Sequence, residues 1–296
     1  MEPQYKGSYA NITIAKTPSH KVVVKKIFGQ IIKIKNEKDA LTLINLHREF
    51  QEKAKKLKVP IISSNISFIS DEYTKATVYI EKQPFISTNL REIILVEKNH
   101  KKLISLLKEY LRMFQKTWES GFNISLDPYL GNFGIINNKV VYFDFFPPRQ
   151  SLLNGSFFDW PEPSKKSRAF IFARHFSPQQ ALVIYSQLLR IFSKNKIVST
   201  TKIKDLIRKY LGNQAFSYVD FKESDYIKIL KNVQLYDAYL LRIIAGELCY
   251  RGVLTHSEVE NIFTQTHIPP TNELPKKGDL NRAANFLLNK LIWQYV

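Results

Sequence analysis

Three residues with oxygen-bearing side chains lie close together near the middle of the chain. Asp127 and Asn132 are separated by four residues, and Asp144 follows twelve residues after Asn132. Oxygen ligands of this kind suit Mg²⁺, a hard cation that takes few protein ligands and completes its octahedron with water and phosphate. A carboxylate that does not bind the metal can orient or deprotonate a hydroxyl group. The three residues are therefore a candidate site for magnesium-dependent chemistry on a phosphate.

The elements around these residues explain how they could meet. Apolar residues at helical spacing predict an amphipathic helix over residues 99–120, ahead of Asp127. Two short apolar runs, residues 133–136 and 139–143, are joined by Asn137-Asn138, which favours a hairpin because Asn tolerates positive φ. A hairpin folds its two ends back together. A loop Asp, a loop Asn and a strand-end Asp can therefore converge on one point.

Residues 125–149 resemble the catalytic loop and metal-binding Asp of the protein-kinase-like superfamily, in the style of the aminoglycoside and choline phosphotransferase branch. That pattern is H-x-D-x-x-x-x-N followed by a strand and Asp. Asp127 matches the catalytic Asp, Asn132 the metal-binding Asn, and Asp144 the Asp of D-F-G. The resemblance implies that Asn132 and Asp144 hold Mg²⁺ across the phosphates of ATP. It also implies that Asp127 orients the acceptor hydroxyl and takes its proton.

The N-terminal part carries further matches in the order that this family requires. Residues 22–27 (VVVKKI) resemble the V-A-I-K strand, whose Lys contacts the nucleotide phosphates; Lys25 is the better match and Lys26 the runner-up. The helix predicted over residues 39–58 should supply a Glu that positions this Lys. Glu49 has a suitable place in it, and Glu52 is the alternative.

Two more nucleotide contacts follow from the resemblance. Residues 79–82 (YIEK) resemble the hinge, where backbone groups around Glu81 would meet adenine. The glycine-rich phosphate loop is represented only by Gly7, in the segment KGSY. The ordered set of matches covers residues 5–150, and beyond it the family leads us to expect only a helical region.

Three departures from the family pattern bear on activity. Ser125 replaces the His of H-x-D, the phosphate loop has a single glycine, and Phe146 replaces the Gly of D-F-G. Pro147-Pro148-Arg149 follows, where Arg149 suits either a phosphate contact or a structural role. The single glycine of the phosphate loop and the replaced Gly of D-F-G argue against a regulated protein kinase more than against phosphoryl transfer, and they keep a pseudokinase open.

The resemblance predicts a bilobal α+β fold. Residues 1–83 would form a β-rich small lobe with one helix, and residues 84–296 a larger, mainly helical lobe, with ATP between them. The proline-bearing segment 149–168 and the helices after it would bind the acceptor. Periodicity predicts these helices at residues 177–194, 202–211, 224–250, 256–265 and 279–293.

Composition narrows the class of protein. The 296 residues are 44% hydrophobic and 13% aromatic, which excludes disorder as the main state. The single Cys249 excludes a disulfide framework and a multi-cysteine metal site. The sequence shows neither a signal peptide nor an apolar run long enough to span a membrane, so we expect a soluble, cytoplasmic protein.

The net charge of +18 suggests nucleic acid as a partner at first sight. The excess of basic residues is spread over both halves of the chain, however, and most of these residues are lysines. A lysine-rich surface explains that distribution at least as well. We therefore predict a phosphotransferase that uses ATP and Mg²⁺ on an alcohol group of a small-molecule acceptor. A kinase-like binding protein without catalysis and a basic RNA-associated protein are the alternatives.

Overall fold

The computed structural model describes most of the chain, in eight stretches. Gly7, Phe146 and Arg149 lie outside the described residues, as does the whole of the proline-bearing segment 149–168. The described stretches are residues 4–6, 11–16, 21–27, 37–70, 77–144, 173–232, 237–267 and 276–293.

The N-terminal strands form one antiparallel five-stranded sheet in the order β1-β2-β3-β5-β4. β-Branched residues such as those of KVVVKKI favour the extended backbone, where they pack well on a pleated surface. The strands are β1 (Gln4–Lys6), β2 (Asn11–Lys16), β3 (Lys21–Ile27), β4 (Asn65–Ser70) and β5 (Thr77–Pro84).

Helix α1 (Glu37–Lys56) covers this sheet on the side of β4 and β5. Its apolar residues recur every three or four positions and are buried, which confirms the predicted helix. Acidic residues in its first turn and lysines in its last turn complement the helix dipole.

Two helices and a hairpin follow the sheet. Helices α2 (Leu90–Val96) and α3 (His100–Glu119) precede a 3₁₀ turn (Leu130–Asn132), which leads into β6 (Phe133–Ile136) and β7 (Lys139–Tyr142). The strands are joined by Asn137 and Asn138 alone, both with positive φ (50° and 60°). The predicted hairpin and its two-residue turn are confirmed.

The rest of the described chain is helical. Helix α4 is buried around most of its circumference, so it forms the centre of this region. The helices are α4 (Gln180–Asn195), α5 (Thr200–Ser217, kinked at Gly212), α6 (Glu223–Lys231), α7 (Asp237–Tyr250), α8 (His256–Gln265) and α9 (Lys277–Trp293).

Local sequence signals predicted the start of α8 but did not predict the break between α6 and α7. Thr255 and Glu258 form the predicted capping box at the start of α8. The prediction of a single helix over residues 224–250 is wrong, because α6 ends at Asn232, whose φ and ψ of −119° and 56° are not helical. The chain then begins a separate helix, α7, at Asp237.

Two hydrophobic cores hold these elements together. The larger core joins α1, α2, α3, the hairpin, α4 and α5, and the smaller core joins α6, α7, α8 and α9. Cys249 is buried in the smaller core as a free thiol. Each helix in the described ranges is too short or too polar to span a lipid bilayer. The described architecture is α+β, as predicted.

Candidate active site

The loop that carries Asp127 is buried, and side chains from two helices satisfy its backbone. The Tyr110 hydroxyl of α3 donates to the Pro128 carbonyl at 2.5 Å. On α4, Gln180 Nε2 donates to the Leu126 carbonyl at 2.9 Å and Gln187 Nε2 to the Pro128 carbonyl at 3.0 Å. A buried loop requires such partners, because an unpaired backbone group away from water is costly. The loop conformation is therefore set by α3 and α4.

Tyr110 keeps its proton in this environment. Burial raises the pKa of the Tyr110 hydroxyl well above its usual range, and the charges of Asp127 and Tyr142 act in the same direction. The hydroxyl therefore stays protonated at neutral pH and can donate to the loop.

Ser125 stands where the family pattern has His. Its hydroxyl donates to the carbonyl of His175 at 2.7 Å, and Ser125 is buried. This bond ties the loop to a helical turn at residues 173–176, far away in sequence. The residue that replaces His thus serves as a structural anchor.

Tyr142 connects the loop to the end of β7. The Tyr142 hydroxyl accepts a hydrogen bond from the Asp127 backbone N–H at 3.1 Å and donates to the Asp144 carbonyl at 2.7 Å. Tyr142 is fully buried, and its bond to the Asp127 N–H is buried while its bond to the Asp144 carbonyl is partly buried. One hydroxyl group therefore holds the backbones of Asp127 and Asp144 beside each other.

Asn132 lies at the same end of the hairpin. Its carbonyl accepts a hydrogen bond at 3.0 Å from the N–H of Phe143, the residue before Asp144. Its own N–H donates to the Tyr129 carbonyl at 2.9 Å. Asn132 is buried, and within the described part of the chain no hydrogen bond occupies its side-chain amide. The backbones of Asp127, Asn132 and Asp144 are thus brought together by described hydrogen bonds.

The carboxylate of Asp127 has a buried cationic partner that the sequence patterns did not indicate. Arg174 Nη2 lies 3.1 Å from Asp127 Oδ1, and both residues are 5% exposed. The Tyr129 N–H donates to the same oxygen at 3.1 Å. A buried carboxylate needs a compensating charge, and Arg174 supplies it. Its only sequence signal was a charge among apolar residues in the segment FARHF.

The hairpin is held between two segments of the N-terminal half. The Ile62 N–H donates to the Tyr142 carbonyl at 2.9 Å, and the Tyr142 N–H donates to the Pro60 carbonyl at 3.0 Å. On the other edge, Asn89 pairs with Gly134. A Cβ at Gly134 would lie 2.5 Å from Ile86 Cγ2, so this approach needs glycine. The segments after α1 and after β5 therefore clamp β6 and β7.

The two candidate lysines lie in β3. The Cα of Lys25 is opposite that of Glu81 in β5, and the Cα of Lys26 is opposite that of Ile80. The register thus makes Lys25 and Glu81 neighbours in the sheet. Their roles at the nucleotide phosphates stay predictions.

The hinge prediction for residues 79–82 is wrong. These residues lie inside β5, which pairs with β3 on one side and with β4 on the other. Backbone groups in a central strand are used by the ladders on both sides, so those around Glu81 are not available to adenine. The chain leaves the sheet after Pro84, and residues 85–89 make the connection to α2.

Glu49 lies on α1 as predicted, but its side chain is exposed to solvent. Its carboxylate is 52% exposed and pairs with Lys53 on the same helix at 2.6 Å. Glu52 is exposed as well, so neither acid lies on the buried face of α1. The polar residue on that face is His47, whose Nε2 lies 2.8 Å from Ser64 Oγ. The exposed pair with Lys53 therefore does not support a role for Glu49 in holding Lys25.

The donor set at the loop fits a magnesium ion that is shared with phosphate. In the described ranges, no group of three or more His, Cys, Asp or Glu side chains could hold a metal ion. Asn132 and Asp144 instead offer one amide oxygen and one carboxylate. Mg²⁺ is commonly held by one or two protein oxygens with phosphate and water as the remaining ligands. The pair fits such a site and does not suit a protein-only metal centre.

Comparison with known proteins gives a distant likeness among solved structures. No protein-family model matches the sequence, and neither does any curated protein. Among solved structures, the chain is similar to a MAP kinase from Leishmania major, with 12% identity and a TM-score of 0.39. The match covers 98% of this chain and 92% of that one. At this TM-score the likeness carries no argument about fold or activity.

Proposed function

We propose that this chain is a phosphotransferase of bilobal, protein-kinase-like fold that uses ATP and Mg²⁺ on the hydroxyl of a small molecule. The supporting observation is the Tyr142 hydroxyl, which bonds to the Asp127 N–H and to the Asp144 carbonyl. With the Asn132–Phe143 backbone bond, it explains how residues so far apart in sequence could serve one site. The proposed lobes are residues 1–83 and 84–296.

Asn132 and Asp144 are the proposed metal ligands. Bound there, Mg²⁺ would neutralise charge on the phosphate oxygens. The backbone of Asn132 is held in place by its hydrogen bonds to Tyr129 and Phe143. A ligand set on such a fixed backbone loses little freedom when the ion binds, which favours binding.

Asp127 is the proposed partner of the acceptor hydroxyl. It would orient that hydroxyl and accept its proton while the hydroxyl oxygen bonds to the terminal phosphorus of ATP and ADP departs. Arg174 and the Tyr129 N–H hold the carboxylate in one position. Positioning of this kind is a large part of the rate gain in phosphoryl transfer. Lys25, or Lys26 in its place, would neutralise phosphate charge from the sheet, and Gly7 is the proposed glycine of the phosphate loop.

A kinase-like protein that binds nucleotide without catalysis is the second candidate. The buried Asp127–Arg174 pair favours it, because a carboxylate that is already neutralised is a weaker partner for a hydroxyl. The anchoring role of Ser125 points the same way, since the His of the family pattern is absent. Both candidates require nucleotide binding, and they differ in turnover.

Thermal stabilisation by ATP, with and without Mg²⁺, tests the shared requirement. A ligand that binds only the folded state stabilises it by about 2.7 kcal/mol at a hundred times its Kd. We expect Mg-ATP to raise Tm in the wild type and to do so much less in Asp144→Ala. Asp205→Ala, at an exposed carboxylate on α5, is the matched control. The absence of any shift in the wild type at millimolar nucleotide would rule out both candidates.

Release of ADP separates the two candidates. With a mixture of small-molecule alcohols, the wild type should release ADP, and Asp127→Asn should lose this activity while it keeps the Mg-ATP shift. A wild type that binds Mg-ATP and never turns over, with every acceptor tried, would favour the non-catalytic candidate.

A further inference from the structure

A cleft beside the candidate active site is lined by four arginines from four separate elements. Its volume is about 660 Å³. Arg91 comes from α2, Arg174 from the turn at residues 173–176, Arg190 from α4 and Arg242 from α7. No local sequence pattern collects these residues, since the fold alone brings them to one place.

Two residues that contact the Asp127 carboxylate also line the cleft. Arg174 contacts the Asp127 carboxylate at 3.1 Å and also lines the cleft. Tyr129, whose N–H donates to the same carboxylate, lines it as well. Gln187 is a third shared residue, because its Oε1 accepts from the Leu130 N–H and its Nε2 donates to the Pro128 carbonyl. A molecule in the cleft would therefore lie within one side-chain length of the candidate catalytic residue.

The lining is strongly positive. Glu260 is the one acidic residue among the lining residues that the structure describes, and it forms an ion pair with Arg190. Arg174 is paired with the Asp127 carboxylate, so the four guanidinium groups exceed the two described carboxylates by two positive charges. Burial lowers the pKa of Arg242 to about 10, and the positive charges of Arg190 and Arg174 act in the same direction. The guanidinium groups thus repel one another, and a bound anion would relieve that repulsion.

The size and the apolar part of the lining limit what can enter. Val183, Val259 and Phe263 line the cleft together with the Tyr239 ring. The volume lies within the roughly 300–1,000 Å³ that is usual for small-molecule sites. The cleft therefore suits a small molecule with an apolar portion and an anionic group.

We propose that the arginine-lined cleft binds the phosphoryl acceptor, and that the acceptor is a small molecule carrying an anionic oxygen group, a phosphate or a carboxylate. The proposal rests on the phosphotransferase function above and adds to it the class of acceptor. Planar guanidinium groups bind both kinds of anion through paired hydrogen bonds. The anionic group would lie among Arg91, Arg190 and Arg242, and the acceptor hydroxyl would point to Asp127.

Direct binding of inorganic phosphate and of acetate, measured by calorimetry at constant ionic strength, tests the cleft without a known acceptor. We expect the wild type to bind at least one of them, and Arg242→Gln to weaken that binding by about tenfold or more, as expected for loss of a charge-assisted hydrogen bond. Arg91→Gln, at a partly exposed residue of α2, should have the same effect if Arg242→Gln fails to fold. Arg208→Gln, on α5 and outside the cleft, should bind as the wild type does. Phosphate alone or acetate alone would identify the anionic group.

Mg-ATP stabilisation of the same variants separates this proposal from the proposed function. Unchanged anion affinity in both Arg91→Gln and Arg242→Gln would overturn the cleft proposal and leave the phosphotransferase proposal standing. If these variants lose both anion binding and the Mg-ATP shift, the cleft binds the nucleotide. That result would also overturn the cleft proposal. If the wild type binds the anion but shows no Mg-ATP shift, the phosphotransferase proposal is rejected. The proposal that the cleft binds a phosphoryl acceptor is then rejected as well.

Discussion

The guanidinium of Arg174 lies 3.1 Å from the carboxylate of Asp127, and both side chains are buried. The two residues are far apart in sequence, on either side of the segment 145–172. Arg174 is therefore part of two features at once, the loop that carries the candidate catalytic residue and the arginine-lined cleft.

Removal of the Arg174 charge should destabilise the fold. Arg174→Met leaves the Asp127 carboxylate buried without this partner, and we expect a loss of about 3–5 kcal/mol in the free energy of unfolding, measured with urea. The double variant Asp127→Asn with Arg174→Met should recover part of the loss, because no charge is then stranded. Lys290→Met breaks the more exposed pair with Glu258 and should cost less than about 1 kcal/mol. Equal costs for the two single variants would contradict a buried, desolvated pair.

Loss of the Tyr142 hydroxyl should loosen the link between the loop and the strand end. Tyr142→Phe removes one hydrogen bond to each of Asp127 and Asp144, so we expect a cost of about 1–3 kcal/mol and a smaller Mg-ATP shift. Urea unfolding and the thermal shift measure the two effects. Tyr218→Phe is the matched control, at a partly buried tyrosine with no described hydroxyl bond. A stability loss with an unchanged Mg-ATP shift would make Tyr142 structural only.

A methyl group at Gly134 should disturb the clamp on the hairpin. In Gly134→Ala the new Cβ would lie 2.5 Å from Ile86 Cγ2. This contact is too short, so the Ile86 side chain or the backbone must shift. We expect a cost of about 1–3 kcal/mol in thermal or urea unfolding. Gly278→Ala in α9 has open space around its Cβ and should be neutral or stabilising by up to about 1 kcal/mol. Partial rescue of Gly134→Ala by Ile86→Ala would identify the contact as the cause, and no rescue would reject it.

His256 should make stability depend on pH near neutrality. Burial lowers the pKa of His256, and the nearby Lys194 and Arg190 act in the same direction while Glu260 opposes them. As the pH falls through about 6.5, the unfolded chain gains a proton at this residue before the folded chain does, so the free energy of unfolding falls. Urea unfolding between about pH 8 and pH 5 should show a smaller decrease in His256→Gln than in the wild type. His100→Gln, at an exposed histidine of α3, is the control. Identical pH profiles for wild type and His256→Gln would refute the assignment.

The sequence by itself determined the elements that depend on neighbouring residues. The helices around residues 39–58 and 99–120, the Asn137-Asn138 turn and the Thr255–Glu258 capping box follow from side-chain spacing and from the φ that Asn tolerates. The order of Asp127, Asn132 and Asp144 around the hairpin could also be predicted, since a two-residue turn leaves one register.

Tertiary structure alone decided which side chains meet across long stretches of chain. Local pattern did not indicate the buried Asp127–Arg174 pair or the Tyr142 bridge. The physical reason is that a buried charge or backbone group is paired by whatever the packing of distant elements brings to it. Local spacing encodes which face of an element is apolar, and only the assembled core determines what that face contacts.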